Sequence, residues 1–522
     1  MKKIYYIWML LLVGVLTSCY DDKSKEADRE IIGVTITTAT DVLDAVYGKT
    51  LVVAPEIKKG TASTEKLTYL WQINLRPNGS DLLDIGEGAT LEYNVSNEPN
   101  TNPYLLVLTV TDPEEGLSYY KSWEVYVSSS MGEGLVVAHT ADGGTTSDIS
   151  FVKAPQLAYG YTGAVEYTHN LYSLANGEKI NGKVNSLVAN VASNGATYNL
   201  SRILVGTDND LFTLSAITFA RTMEKEDLFF SVPETCEVQT ISNSYGSALV
   251  TVIGGKAYGF MCNGGYQFAS PMNYNAAASQ VFSGKMAVEK ASGNTAPFTC
   301  YDEKNGYFLI ATWMVFNNGA SSILTQSLAE GQYQFDPGNL KNKKTLKAGV
   351  GNNSEHMHLL RDLSTQADTI YKISSVDYVV GGTGKIALDA CTNIKNAVDY
   401  AFCENMNVMY YATENQVYPA LLAGSSAATG TPWSLTTTGE KITAIQMYQQ
   451  GWYGVGGNLP DSYTFTSAQH NKQLLVTTYN ASTGEGKIYL LPITSLGSGD
   501  LGAEVQVLGG FGEITAIGTT LR

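Results

Sequence analysis

Across residues 131–522 one unit recurs: a hydrophobic strand, a polar turn, then a second strand with an aromatic residue near its start. Copies are Leu135-Val136-Val137-Ala138-His139 with Asp148-Ile149-Ser150-Phe151, then Arg202 to Leu214, then Ala248-Leu249-Val250-Thr251 into Lys256-Ala257-Tyr258. Others are Gly306 to Thr312, Asn407 to Thr413 into Gln416-Val417-Tyr418, and Lys472 to Thr478 into Lys487 to Leu491. A two-strand unit repeating at about 50 residues cannot bury both faces of its sheet alone and must stack on its neighbours, which is the situation of a β-propeller blade. At ~40–50 residues per blade the segment holds seven or eight, and seven is favoured because some loops are long. Glu513-Ile514-Thr515-Ala516-Ile517 echoes Lys441-Ile442-Thr443-Ala444-Ile445. The last segment is therefore expected to add a strand to the blade that begins near Leu135 and so remove an open sheet edge. A parallel β-helix, the main competitor, needs short regular coils that these long unequal units do not match.

Before the repeats, residues 31–130 change to short alternating runs separated by turn residues, the spacing of a small β-sandwich. Candidate strands are Ile31–Thr37, Thr50–Ile57, Leu67–Asn74, Thr90–Val95, Tyr104–Thr111 and Tyr119–Val127. Trp71 falls mid-strand and is expected in the core, and Asp112-Pro113-Glu114-Glu115-Gly116 is a turn. Tyr69-Leu70-Trp71-Gln72 and Tyr104-Leu105-Leu106-Val107-Leu108-Thr109-Val110-Thr111-Asp112 resemble the strands of polycystic-kidney-disease (PKD) type immunoglobulin-like domains, best those of PKD-like lipoproteins of Bacteroidetes. That resemblance implies a spacer or interaction module without chemistry of its own. The predicted fold class is all-β: a PKD/immunoglobulin-like sandwich followed by a β-propeller.

The N-terminus has the anatomy of a secretory signal, with Lys2 and Lys3 before an apolar run from Ile4 to Leu16. At ~1.5 Å per residue that run is too short to span a ~30 Å hydrocarbon core permanently. Leu16-Thr17-Ser18-Cys19 resembles the bacterial lipobox, which implies cleavage after residue 18 and acylation of Cys19, with chains enough for stable anchoring. Tyr20-Asp21-Asp22 looks like the acidic export signal that takes Bacteroidetes lipoproteins to the outer face of the outer membrane. Residues 1–18 are thus expected to be the signal peptide and 19–30, charged and without apolar periodicity, a lipidated tether.

The formal charge of −16 excludes an electrostatic route to nucleic acid, whose binding depends on Lys and Arg displacing counterions. It also disfavours adsorption to an anionic membrane, so the expected membrane link is covalent. Beyond Cys19, the cysteines Cys236, Cys262, Cys300, Cys391 and Cys403 show no CxxC spacing and read as buried free thiols.

No catalytic residue is assigned. His356-Met357-His358 places two imidazoles on one strand face, with Glu355 or Asp362 as the nearest carboxylates, but two ligands fall short of the three or four a zinc site needs. Asp142-Gly143-Gly144 and Asp208-Asn209-Asp210 are fragments of calcium loops better read as turns. Gly454-Val455-Gly456-Gly457 lacks the strand–turn–helix setting of a phosphate loop, and no Gly-x-Ser-x-Gly elbow occurs. A pair of acids from distant blades, as a glycosidase requires, is neither identified nor excluded by sequence. No metal or cofactor is expected. Two long small-residue loops, Gly424–Trp433 and Gln449–Asp461, carry the ligand-binding candidates Trp433, Trp452 and Tyr453, whose rings suit sugar faces or peptide side chains; the same rings also fit as plugs between blades.

Together these features are similar to accessory surface lipoproteins found with SusC/SusD-type TonB-dependent transporters. The resemblance implies a SusC-like barrel and a SusD-like lipoprotein as partners, an outer-membrane cell-surface location, and capture of oligopeptides or oligosaccharides for import. Alternatives are a surface hydrolase that trims polymer before uptake and an adhesin for host or matrix glycoprotein.

Overall fold

The computed structural model describes residues 31–100, 102–128, 131–158, 160–189, 202–244, 248–261, 267–268, 271–272, 280–288, 295–314, 317–323, 333–374, 381–450 and 469–520. The chain forms two compact units that divide at Val127/Ser128, with Glu98–Thr101 belonging to the second.

The first unit is a β-sandwich. Its main sheet has the order Val42–Val46, Leu117–Ser128, Tyr104–Asp112, Thr68–Asn74, Leu82–Gly86, and two strand pairs, Val34–Thr37 with Glu56–Lys59 and Thr50–Val53 with Leu91–Asn94, complete it. Alternate side chains of Tyr104–Asp112 are buried, the period-2 pattern of a strand with one face on a core. Trp71 and Trp123 stack with ring centroids 5.4 Å apart, and the Trp71 indole N–H donates to the Gly88 carbonyl at 2.8 Å. A buried Lys59–Asp112 ion pair at 2.7 Å closes one side; the hydrogen bond between them raises the lysine pKa and lowers the carboxyl's. The expected strand Thr50–Ile57 is broken at Ala54-Pro55, since proline cannot donate to the ladder. Val42–Val46 and Leu82–Gly86, at the two edges of the main sheet, were not expected as strands. They carry apolar residues on both faces, with Val42, Val46, Leu82 and Leu83 exposed, and so lack the apolar/polar alternation by which a half-buried strand is read from sequence.

Among the described residues, the second unit holds seven antiparallel sheets. Blade 1 pairs Glu513–Thr520, Gly134–Thr140, Thr146–Lys153 and Glu166–Thr168; blade 2 pairs Val184–Ala189, Arg202–Thr207, Leu211–Ser215 and Arg221–Met223. Blade 3 has Val238–Ser244, Ala248–Ile253 and Lys256–Met261, and blade 4 Met286–Val288, Thr295–Asp302, Tyr307–Met314 and Asn317–Ile323. Blade 5 comprises Lys343–Val350, His356–Asp362, Asp368–Ser374 and Gly381–Ala387. Blade 6 runs Asp399–Phe402, Val408–Ala412, Gln416–Leu421 and Ala428–Thr429, with Trp433–Ser434 also pairing the third strand. Blade 7 has Lys441–Met447, Gln473–Asn480, Glu485–Ser495 and Gln506–Phe511, the third strand also pairing Asp500–Leu501.

The first strand given for each blade packs against the first strand of the next, and blade 7 returns onto Glu513–Thr520. The result is a ring, a seven-bladed propeller of the expected class. A separate apolar core fills each junction; that between blades 7 and 1, for example, contains Leu135, Val152, Tyr448, Leu475 and Leu490. Closure is by the C-terminal strand, whose register sets Leu135 opposite Thr519 and His139 opposite Ile514, with a bulge at Thr515. The same inner-strand bulge recurs in blades 2, 3, 5 and 7, consistent with the sharp twist a blade needs near the axis. The echo between Glu513–Ile517 and Lys441–Ile445 is this shared bulge.

Candidate functional site

Each inner strand is paired on one side only, so its other edge turns N–H and C=O groups toward the ring axis. Neighbouring inner strands are tied by side chains: Ser186 Oγ accepts the Ile241 N–H at 3.0 Å, Lys347 pairs with Asp399 at 2.8 Å, and Asp399 accepts the Ile445 N–H at 2.9 Å. Along the axis of blades 3 to 7 lies a cavity of about 210 Å³. Its apolar lining includes Met286, Val288, Val350, Phe402 and Met447, and its polar lining Glu404, Gln446 and Gln449.

Because the blades share one topology, the C-terminal ends of their inner strands converge on one end of the ring. The residues just beyond those ends form a polar rim. Gln449 donates to Glu404 Oε1 at 3.0 Å, and Asn405 donates to the Asn471 carbonyl at 2.7 Å. The Gln450 N–H donates to His470 Nδ1 at 2.9 Å, while its buried side-chain amide donates to Glu133 Oε1 at 2.8 Å. Behind this rim stands Gln473, whose carbonyl accepts the Tyr448 N–H at 2.8 Å. Its side chain is 0 % exposed, and neither Nε2 nor Oε1 has a partner. A buried amide left unpaired costs about 1–3 kcal/mol, which marks the wall beside the rim as polar in demand. Rim and cavity together can hold a small ligand by hydrogen bonds at its edge and apolar contact at its face.

Two other polar constellations lie inside blade junctions. His139 Nε2 is 2.8 Å from Ser150 Oγ, with buried Asp148 nearby. His139 Nδ1, however, accepts the Gly512 N–H at 3.3 Å, so the proton of the neutral ring sits on Nε2 and points at Ser150; the ring cannot take the serine's proton. Asp148 receives Ser173 and Ile149 instead. Burial lowers the His139 pKa to about 4, and its role is to hold the closing strand. His356 and His358, both 0 % exposed, share Thr299 Oγ1 at 2.7 and 2.8 Å. One hydroxyl proton serves one ring only, so whichever ring receives it keeps an N–H on its far nitrogen while the other keeps a bare lone pair. Both far nitrogens, His356 Nε2 and His358 Nδ1, are buried without partners.

The acidic turns are satisfied locally. Asp142 accepts the Thr146 N–H at 2.9 Å and the Thr146 hydroxyl at 2.7 Å, bonds that lower its pKa to about 2. Asp210 pairs with Arg221 at 2.6 Å, and Asp208 accepts the Lys183 N–H.

Cys19, Tyr20, Asp21, Asp22, Trp452 and Tyr453 lie outside the described residues. Trp433 lies not on a long loop but in the short strand Trp433–Ser434, opposite Val417, because the Gly424–Trp433 stretch supplies the outer edge of blade 6. Its ring is half-buried 5.8 Å from Tyr489, between blades 6 and 7 and among that junction's apolar residues. The Gln449–Asp461 stretch does begin at the rim, but there the visible contributors are Gln449 and Gln450. Sequence reasoning weighted the aromatic rings and passed over Glu133, Glu404, Gln446 and Asn471. The available signal was the Gln-Gln pair directly after an inner-strand repeat.

A profile of the PKD-like family matches residues 19–183. The chain carries a PKD-like family domain. The match to the PKD-like domain runs past the sandwich through the first two strands of Gly134–Lys153 and the blade 1 region that follows. No curated protein matches the chain. Among solved structures, a quinonprotein alcohol dehydrogenase-like protein from Bacteroides thetaiotaomicron is 15% identical with a TM-score of 0.42, over 93% of this chain and 98% of that one. The WD40 domain of SCAP from fission yeast is 9% identical with a TM-score of 0.33, over 63% of this chain and 74% of that one.

Proposed function

We propose that this PKD-like domain protein is a ligand-capture lipoprotein of the outer-membrane surface, held by acylated Cys19 with Tyr20, Asp21 and Asp22 as its export signal. The propeller mouth binds oligopeptides or oligosaccharides and presents them to a SusC-like TonB-dependent transporter with its SusD-like partner. The observation that carries this reading is the rim of Glu404, Gln449, Gln450 and Asn471 over an apolar-lined cavity, an arrangement suited to holding a ligand. Its acids are already engaged by amides, which favours binding over turnover. Mild-detergent purification of the transporter from native membranes tests the role: this protein should co-migrate, and its absence from the complex would count against the partnership. The hydrolase alternative makes a different forecast, namely that polymer incubated with the protein yields shorter products and that Glu404→Gln abolishes them.

A further inference from the structure

We infer that the mouth recognises a neutral, hydroxyl-rich ligand, the terminal residue of an uncharged oligosaccharide, in preference to a peptide. This rests on the capture reading above and narrows it.

The argument begins with hydrogen-bond type. Gln446, Gln449, Gln450, Asn405 and Asn471 each carry both donors and acceptors, and they are interleaved with the acceptor-only carboxylates Glu404 and Glu133. A sugar hydroxyl also donates and accepts, so it fits either kind of neighbour. An ammonium or guanidinium offers donors alone and leaves an amide N–H₂ such as that of the lining residue Gln446 unmatched, and a carboxylate offers acceptors alone.

Charge excludes further classes. Among the described residues the cation that lines the cavity, Lys347, is already paired with Asp399 at 2.8 Å, so an anionic ligand meets no unpaired lining cation there and faces two rim carboxylates on a chain of net charge −16. Size sets the mode of entry. At about 210 Å³ the cavity is smaller than the ~300 Å³ at which sites for drug-sized ligands begin, so it takes one ring, the end of a chain. The C–H face of that ring would rest on Val350, Phe402 and Met447 while its hydroxyls meet the rim.

The test is calorimetric titration of the full mature chain in mild detergent with three panels: neutral oligosaccharides, uronic-acid oligosaccharides, and neutral, basic and acidic peptides. Neutral oligosaccharides should bind, and Gln449→Ala and Gln446→Ala should each weaken binding about tenfold, the loss of ~1.4 kcal/mol. Lys441→Ala, on an exposed lysine at the start of the blade 7 inner strand, should change nothing. Unchanged thermal midpoints confirm that the variants fold. Binding of peptides or uronates that is weakened by Gln449→Ala overturns the neutral-sugar class and leaves the mouth as a binding site. Failure of all three panels, or sugar binding indifferent to both mouth variants, overturns the capture site itself.

Discussion

Burial fixes the protonation state of three histidines, and with it the ring's response to acid. Desolvation holds His139 and His356 at a pKa of about 4 and His358 at about 3, against an ordinary value of 6.5. Below pH 6.5 an unfolded histidine takes up a proton that these folded ones refuse, so the unfolded state binds more protons and stability falls as pH drops toward 4. At ~1.4 kcal/mol per pKa unit, His139 and His356 each place roughly 3 kcal/mol at stake and His358 roughly 5. The thermal midpoint of the propeller is therefore expected to drop between pH 6.5 and 4, and replacing His356 and His358 together by glutamine should flatten the drop. A midpoint that is flat across this window in the native chain would contradict it. Asp142, with its pKa lowered to about 2 from 3.8, acts only below that window, so the two effects separate. The same desolvation raises the Cys236 thiol to about 11 and the Cys300 thiol to about 12. With Cys391 and Cys403 these cysteines are free and buried; Cys262 lies outside the described residues. Iodoacetamide at pH 8 should leave the four unmodified in the native protein and alkylate them in urea, as read by peptide mapping.

At the level of elements, the hairpins use one turn repeatedly. Asp302, Asp362 and Asn480 each end a second blade strand, accept N–H groups two or three residues on, and precede a left-handed residue, Gly306, Gln366 or Gly484, whose N–H returns to the first carbonyl at 2.8 Å. The sandwich turn Asp112–Gly116 is built the same way. Side chain and backbone thus cooperate to set hairpin register. The closing strand Glu513–Thr520 has the larger global role, because it supplies blade 1 with its axis-facing member and is fastened through Gly512 to His139 and through Thr520 Oγ1 to the Gly132 carbonyl at 2.8 Å. Truncation after Gly512 should leave Gly134–Thr140 as an open edge, lower the thermal midpoint by roughly 10 °C or more and increase proteolysis within blade 1. An unchanged midpoint would mean that the ring does not depend on this closure. Six of the seven blades were recognisable as hydrophobic repeats. Blade 5 was not, because its second strand begins His356-Met357-His358, where imidazoles occupy core positions and break the apolar run that a hydropathy pattern detects.

For the whole molecule, the proposed acyl anchor at Cys19 would decide where the ring can work. Cys19→Ala should release the protein from the membrane fraction, and added protease should digest the native protein on intact cells; retention in membranes or full protection would remove the proposed site of action. The charge of −16 acts at the same scale, keeping the surface from anionic membranes and polyanions and so leaving the tether as the expected attachment.

The linear pattern was sufficient for the all-β class, the sandwich tryptophan and a repeat of propeller length, because period-2 burial and repeat spacing are local properties that survive in the chain, while the choice between seven and eight blades was left to the tertiary structure. The rim was a matter for the tertiary structure. Glu133, Glu404, Gln449 and Asn471 are separated by long stretches of chain, and only ring closure brings the start of blade 1 beside the ends of the blade 6 and 7 inner strands. The same holds for Trp433, whose ring faces Tyr489 because its strand completes an outer edge, a fact fixed by pairing across blade 6 and absent from composition or spacing.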